Sequence, residues 1–428
     1  MQQDNTSKRR HETFLDRENA SIVANEAKRQ KLAPHGSFAD ALQTMKAMDR
    51  DKVTRPGVAI DLGKTLVFQQ LDIQDCRDPK FLSSVFLFGI TEAGVTICLH
   101  IVDIPQGQKI EEEWYGMRWL SLSPRVYDLV KATDRLSACQ YELRLTYENF
   151  NGSAKEEPIN CAREAPLRIL SFDIETDVYI DPSGKDEFPT PNAQSIIQIS
   201  GMLKYQRDSE PFYRNVLTLK SCNAIEGTDV ESFEEESDLI KRWLKFIHDA
   251  DPDIIVGYNS CGFDIPYILL RAKRLSIPCG ISRINDFEIS NPIFRPGPGA
   301  FSSAPVIPGR LQIDLYDFVF LEHGHPSAKE KAELWAVGIR RKLLGLEASS
   351  FRFLKQRKED IDFRNIPKLQ AGTGEDRKKL AIYCLKDSHL PLQLMDHLQA
   401  LDKWINRAQR KKGTFYHTIR RLAGRIPV

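Results

Sequence analysis

The chain has 428 residues, 41% hydrophobic and 28% charged, with a formal net charge of +1. That is enough for more than one core, and the overall charge does not announce a polyanion as ligand. Cys76, Cys98, Cys139, Cys161, Cys222, Cys261, Cys279 and Cys384 stand apart in the sequence, which speaks against a zinc or iron–sulfur site of paired thiols. With no secretory leader, it speaks equally against a disulfide framework. A soluble protein of a reducing compartment is expected.

Residues 1–55 are polar and poor in aromatics, and read as a disordered tail with room for a short helix. They hold Lys8-Arg9-Arg10 and Lys28-Arg29-Gln30-Lys31, a spacing that fits either a nuclear import signal or a solvated tail. Residues 56–165 read as a small β-rich domain. Strands are expected at 66–73, 85–90, 95–102 and 140–147, the middle two joined as a hairpin through Thr91-Glu92-Ala93-Gly94. The apolar run at 85–90 is far short of the roughly 20 residues that span a bilayer.

Residues 166–400 change rhythm. Strands are expected at 167–174, 195–205 and 215–220. Ser232-Phe233-Glu234-Glu235 has the pattern of a capping box, and Leu239, Ile240, Trp243, Leu244 and Ile247 recur at helical spacing. A strand at 254–258 and a helix at 264–275 follow. Three strands, a helix, a strand and a helix suit an α/β (α+β) domain with a mixed sheet of the ribonuclease H-like kind. A proline-rich excursion covers 285–308, then a strand at 309–320, a helical stretch at 329–344 and a helix at 376–401.

Three places carry candidate chemistry. In Ser171-Phe172-Asp173-Ile174-Glu175-Thr176, alternation on a strand puts Asp173 and Glu175 on one side. Paired carboxylates repel unless a cation lies between them, and oxygen ligands suit magnesium or manganese. A strand end turning polar at the surface is the plainer alternative. In Gly257-Tyr258-Asn259-Ser260-Cys261-Gly262-Phe263-Asp264, Asp264 opens a helix and reads as an N-cap, a metal ligand or both. In Tyr383-Cys384-Leu385-Lys386-Asp387, Tyr383 and Asp387 share a helix face, as they also would on a simple amphipathic helix.

The three stretches together resemble the exonuclease motifs of family B DNA polymerases of the delta type. LRILSFDIET is similar to the first motif, GYNSCGFDIPYILLRA to the second and LAIYCLKDSHLPLQLM to the third, in the family's order. The resemblance implies a 3′→5′ DNA exonuclease that removes nucleotides from a single-stranded or mismatched primer 3′ end by two-metal phosphodiester hydrolysis. Asp173, Glu175, Asp264 and Asp387 would bind two Mg2+ ions, with Mn2+ as the alternative. Tyr383 would orient the attacking water. Tyr258, Asn259 and Phe263 would contact DNA, Phe263 by packing near the bases. Accessory subunits of a replicative polymerase and a nuclear location are further implications, and no membrane is involved.

The sequence departs from that family in three ways. No SLYPS-like segment, fingers lysine motif or YGDTDS-like aspartate pair occurs, so nucleotide addition is not expected of this chain. Residues 320–365 are more basic and irregular than the pattern between the second and third motifs. Residues 401–428 form a basic tail: from Lys403 onward there are eight Lys or Arg and no acid. This fits either an unpacked terminus or a phosphate-contacting segment in which Trp404, Phe415 and Tyr416 stack on bases.

Overall fold

The computed structural model describes residues 37–76, 80, 83–159, 163–179, 188–289, 292–295, 304–339, 342–358 and 361–423. The two basic clusters near the start and residues 424–428 lie outside the described residues. Helix α1 (Phe38–Thr44) precedes two sheets.

The first sheet contains β1 (Leu66–Asp75), β2 (Val85–Thr91), β3 (Thr96–Val102), β4 (Trp119–Leu122), β5 (Asp128–Leu129), β6 (Tyr141–Thr146) and β7 (Lys155–Glu156), in the order β5-β6-β3-β2-β1-β4-β7. The hairpin expected at 91–94 is present. Thr91 accepts the Gly94 amide on its carbonyl and the Val95 amide on its hydroxyl. Gly94 sits at φ +77°, a conformation that costs glycine little. Helix α2 (Tyr147–Ser153) follows β6 and buries Phe150.

The second sheet positions the chemistry. It contains β8 (Arg168–Thr176), β9 (Ile196–Tyr205), β10 (Tyr213–Leu219), β11 (Asp229–Phe233), β12 (Ile254–Gly257) and β13 (Leu311–Asp314), in the order β11-β10-β9-β8-β12-β13. The run β10-β9-β8 is antiparallel, while β11, β12 and β13 join in parallel. This is the mixed sheet that the element order predicts. On one face, α3 (Glu236–Ala250) and α4 (Asp264–Arg274) close a core in which Leu170, Phe172 and Ile174 meet Trp243, Ile247 and Ile268. α5 (Leu315–His323) and α6 (Ala328–Ala336) follow β13. On the other face lies α7 (Gly374–His397), whose Ala381, Leu385 and Leu394 join Ile169, Met202 and Val256. α8 (Ala400–Ala408) and α9 (Phe415–Ala423) complete the described chain. No helix among the described residues is long and apolar enough to cross a membrane.

Several sequence expectations change. Ser232 and Phe233 belong to β11, so they do not cap a helix; parallel pairing with β10 holds them, and the Ser232 hydroxyl accepts the Cys222 amide. The strand expected at 309–320 ends at Asp314 and turns into α5, capped by Asp314 itself. The helix expected at 376–401 breaks at Gln399, which takes a left-handed φ of 52°.

The tail at 1–55 also needs correction from Ser37 onward. Phe38 and Leu42, four apart on α1, are 4% and 1% exposed. Beyond α1 the chain runs over the sheet as a strap. Asp49 N donates to Phe212 O, the fully buried Arg214 donates to Lys46 O, and Arg168, also fully buried, donates to Lys52 O and Val53 O. Likewise, 401–423 is not an unpacked terminus. Trp404, Phe415 and Ile419 are 0–1% exposed, so the first two do not stack on bases, and the Tyr416 hydroxyl donates to Ala304 O.

Candidate metal and nuclease site

Alternation on β8 sends Phe172 and Ile174 into the α3–α4 core and leaves Asp173 and Glu175 facing α7. Hydroxyls fix the spacing between strand and helix. Ser171 Oγ donates to Ser388 O at 2.6 Å, and Ser200 Oγ donates to Cys384 O at 2.8 Å. Such small side chains let α7 lie close, so that its polar face meets that of β8.

The second motif is a loop set by β13. Asp314, at the carboxyl end of that strand, accepts the amides of Asn259 (2.7 Å), Cys261 (2.9 Å) and Tyr316 (2.9 Å). Asn259 sits at φ 63°, a left-handed conformation that asparagine tolerates better than most residues. Gly257 must lack a side chain, because a Cβ there would lie 2.6 Å from Ser260 Cβ. The loop delivers Asp264 to the start of α4, where Asp264 Oδ1 accepts the Ile174 amide of β8 at 3.1 Å. That bond ties the second motif to the first.

The third motif brings Asp387 and Tyr383 from α7. Both meet Lys358, in the segment that the sequence marks only as basic and irregular. Lys358 Nζ pairs with Asp387 Oδ2 and donates to the Tyr383 hydroxyl at 3.1 Å. Lys358 is thus a site residue that sequence reasoning missed. Its signal is a lysine in a loop of irregular pattern, and only the fold reveals its place.

The ligand atoms of Asp173, Glu175 and Cys384 all lie within 4.8 Å of one another. Cys384, likewise unassigned from sequence, points its thiol at the Asp173 carbonyl (3.5 Å) and carboxylate (3.7 Å). Asp264 and Asp387 flank this trio closely enough to perturb it. Burial, then the charges of Asp264, Asp387 and Glu175, hold the Asp173 carboxyl well above its usual range. Burial and Asp387 push Glu175 up to about 8. Burial raises Asp264 to about 7 against the amides that it accepts. Asp387 is raised by burial, although Lys358 opposes the shift. Burial pulls the Lys358 ammonium down, but Asp387, Tyr383 and Asp173 outweigh it and hold the group well above its ordinary value.

These residues fit a divalent cation. Glu175, Asp264 and Asp387 are buried and Asp173 is half-buried, four carboxylates against the Lys358 ammonium, and Asp387, 5% exposed, has an Oδ1 with no hydrogen-bond partner. The donors are hard oxygens, as magnesium and manganese prefer. The Cys384 thiol, kept protonated by burial and then by Asp173 and Glu175, adds no charge.

The expected DNA-contacting residues divide. Phe263 is half-buried in an aromatic cluster, with ring centroids 5.7 Å from Phe188 and 5.6 Å from Phe294. Phe188 is 58% exposed, so the cluster opens to solvent beside Asp264. Asn259 borders the same loop. The Tyr258 hydroxyl is turned inward: it donates to Leu344 O at 2.5 Å and meets Ser349 Oγ at 2.6 Å, anchoring the 344–349 segment. The bulky ring at the end of β12 is needed for that packing, which the motif alone does not disclose.

The profile described as DNA polymerase family B, exonuclease domain, matches residues 110–323. That span holds Asp173, Glu175 and Asp264 and ends before Tyr383 and Asp387. The DNA polymerase delta catalytic subunit of Dictyostelium discoideum is 35% identical over 304 residues, 69% of this chain and 25% of that protein. The subunit of Oryza sativa subsp. japonica is 36% identical over 300 residues, with the same shares covered. The chain therefore spans about a quarter of the length of these curated relatives. Among solved structures, the family B DNA polymerase from the hyperthermophilic archaeon Pyrobaculum calidifontis aligns over 83% of this chain and 48% of its own, with a TM-score of 0.53 and 16% identity, a likeness of fold alone.

Proposed function

Because the chain belongs to DNA polymerase family B through its exonuclease domain, we propose that it hydrolyses the terminal phosphodiester of a single-stranded or mismatched DNA 3′ end, as the proofreading portion of a delta-type polymerase. The observation that carries this reading is the convergence of Asp173, Glu175, Asp264 and Asp387, from three separate elements, on one largely buried cluster that also holds Lys358. Packing alone does not call for so many acids gathered together away from solvent, since they repel one another and resist desolvation.

Magnesium or manganese, held by those four carboxylates, supplies charge neutralisation, water activation and Lewis acidity at the phosphate. The chain's own groups do the rest. Burial and the Asp387 charge push the Tyr383 phenol up, so it stays protonated and holds a water by hydrogen bond. Lys358, donating to the same hydroxyl, fixes its orientation and presents a positive charge to the phosphate oxygens. Asn259 offers its amide to the terminal nucleotide. Phe263, with Phe188 and Phe294, offers ring faces that accept any base, as removal of any mispaired nucleotide demands. An unpaired end is favoured because freeing it from a duplex costs least at a mismatch. Work in the nucleus beside accessory subunits of a replicative polymerase is part of the same reading.

The test is hydrolysis of a 5′-labelled single strand with Mg2+, beside an Asp173→Ala/Glu175→Ala double variant. A ladder that shortens from the 3′ end and is absent in the variant supports the reading. A folded wild-type chain that cuts nothing, or cuts equally in the variant, refutes it.

A further inference from the structure

The carboxylate site leaves one sequence feature unused, the run of cations after α7. By burying Trp404, Phe415 and Ile419, α8 and α9 turn their charged residues outward. Some find partners: Arg407 pairs with Glu322, Arg420 donates to Ala304 O, and Lys403 lies over the Phe318 ring. The turn between the helices, Arg410-Lys411-Lys412, is exposed, and among the described residues none of its three side chains has an ion pair or hydrogen bond.

That turn is not loose. Arg410 N donates to Arg407 O and Lys411 N to Ala408 O, while Gly413 N reaches across to Trp114 O at 2.9 Å. Lys412 and Gly413 form β-bridges with Tyr115. Gly116 permits this approach, since a Cβ there would meet Phe415 N at 2.8 Å. The Tyr115 ring lies 4.0 Å from the Arg118 guanidinium. Glu156, the acid beside it, is already committed to Arg118 and to the Tyr115 amide, each at 3.0 Å. Three adjacent cations on a fixed backbone, next to a ring and, among the described residues, without an ion pair or hydrogen bond of their own, repel one another until an anion of repeating charge lies across them. A nucleic-acid strand is such an anion.

We infer that the Arg410–Lys412 turn is a phosphate-binding surface for the strand whose 3′ end enters the carboxylate site. This rests on the exonuclease reading. About 15 Å of α7, from Asp387 to His397, and then all of α8 separate the site from the turn along the chain, and the inference assigns the contacts to nucleotides upstream of the reacting one.

The experiment measures binding of a fluorescent oligothymidylate in EDTA, where no strand is cut, as a function of salt. The Arg410→Gln/Lys411→Gln/Lys412→Gln variant should bind about 100-fold more weakly at ~0.1 M salt, with its log–log salt slope shallower by about 2, as loss of three single-strand phosphate contacts requires. The control Lys64→Gln/Lys241→Gln/Lys245→Gln removes three exposed, acid-paired lysines elsewhere and should leave both quantities nearly unchanged. Shortening the strand to a dinucleotide should erase the difference between the turn variant and wild type. Unchanged affinity and slope in the turn variant, or equal loss in the control, overturns the inference. If the turn variant loses binding while wild type fails to hydrolyse in Mg2+, the surface stands and the exonuclease reading falls. If hydrolysis proceeds and binding ignores the turn, the reverse holds.

Discussion

In the absence of metal, the carboxylate cluster should make the protein less stable as pH rises. Glu175 is the clearest contributor, with its folded carboxyl at about 8 against 4.5 for the free group. A carboxyl raised in this way contributes stability that is fully present below its unfolded value and is lost as pH rises through the folded one, because the folded state must hold the proton that the unfolded state gives up. Each pH unit between the two values removes about 1.4 kcal/mol. From about pH 6 to about pH 8, where the folded group is itself half-titrated, Glu175 alone should therefore cost about 2 kcal/mol of unfolding free energy. Asp264, at about 7, should add to the loss over the first part of that range. A bound divalent cation replaces the protons and removes the dependence. The assay is urea denaturation followed by tryptophan fluorescence from about pH 6 to about pH 8.5, in EDTA and in excess Mg2+. A midpoint that falls with pH in EDTA and holds in Mg2+ is expected. A flat profile in EDTA, or the same fall with Mg2+ present, would falsify the claim that these acids are buried together and share a cation.

Two substitutions separate the roles of individual groups. Lys358→Met removes the ammonium that meets Asp387 and Tyr383; hydrolysis should drop by ~100-fold or more. The same variant should be destabilised in EDTA by about 2 kcal/mol, with much of that recovered in Mg2+; stability that ignores Mg2+ would show that Lys358 does not share the cation's place. Asp264→Ala should abolish hydrolysis while single-strand binding stays nearly intact. It should also cost ~1–3 kcal/mol because the buried Ile174 amide loses its acceptor. Binding that falls in step with activity would make Asp264 a structural cap only.

The parts legible in sequence are those that short-range periodicity encodes. Alternation in β8 placed Asp173 and Glu175 on one side, helical spacing paired Tyr383 with Asp387, and the Thr91–Gly94 turn announced its hairpin. What stayed hidden depends on contacts across long stretches of chain. Nothing local tells that Lys358 crosses to α7, or that Asp314 holds the Asn259 loop from the end of another strand. The anchoring role of the Tyr258 hydroxyl stayed hidden for the same reason, since its partners lie 86 and 91 residues further on. At both ends of the chain composition misled: a polar, charge-rich segment looks unfolded even when a few well-spaced apolar residues, Phe38 with Leu42 or Trp404 with Phe415, are enough to anchor it.

The strap formed by residues 37–55 bears on where this protein can be divided. A chain begun at residue 56, where composition suggests a domain starts, would strip carbonyl acceptors from Arg168 and Arg214 on the sheet that carries Asp173. It would also remove the Phe38 ring, which stacks on His389 at 5.4 Å and lies 4.8 Å from the Lys386 ammonium, two residues that bracket Asp387 on α7. The segment that looks most dispensable thus reaches from the back of the sheet to the helix of the third motif, and shortening the protein from its front end is a way of loosening its chemistry from behind.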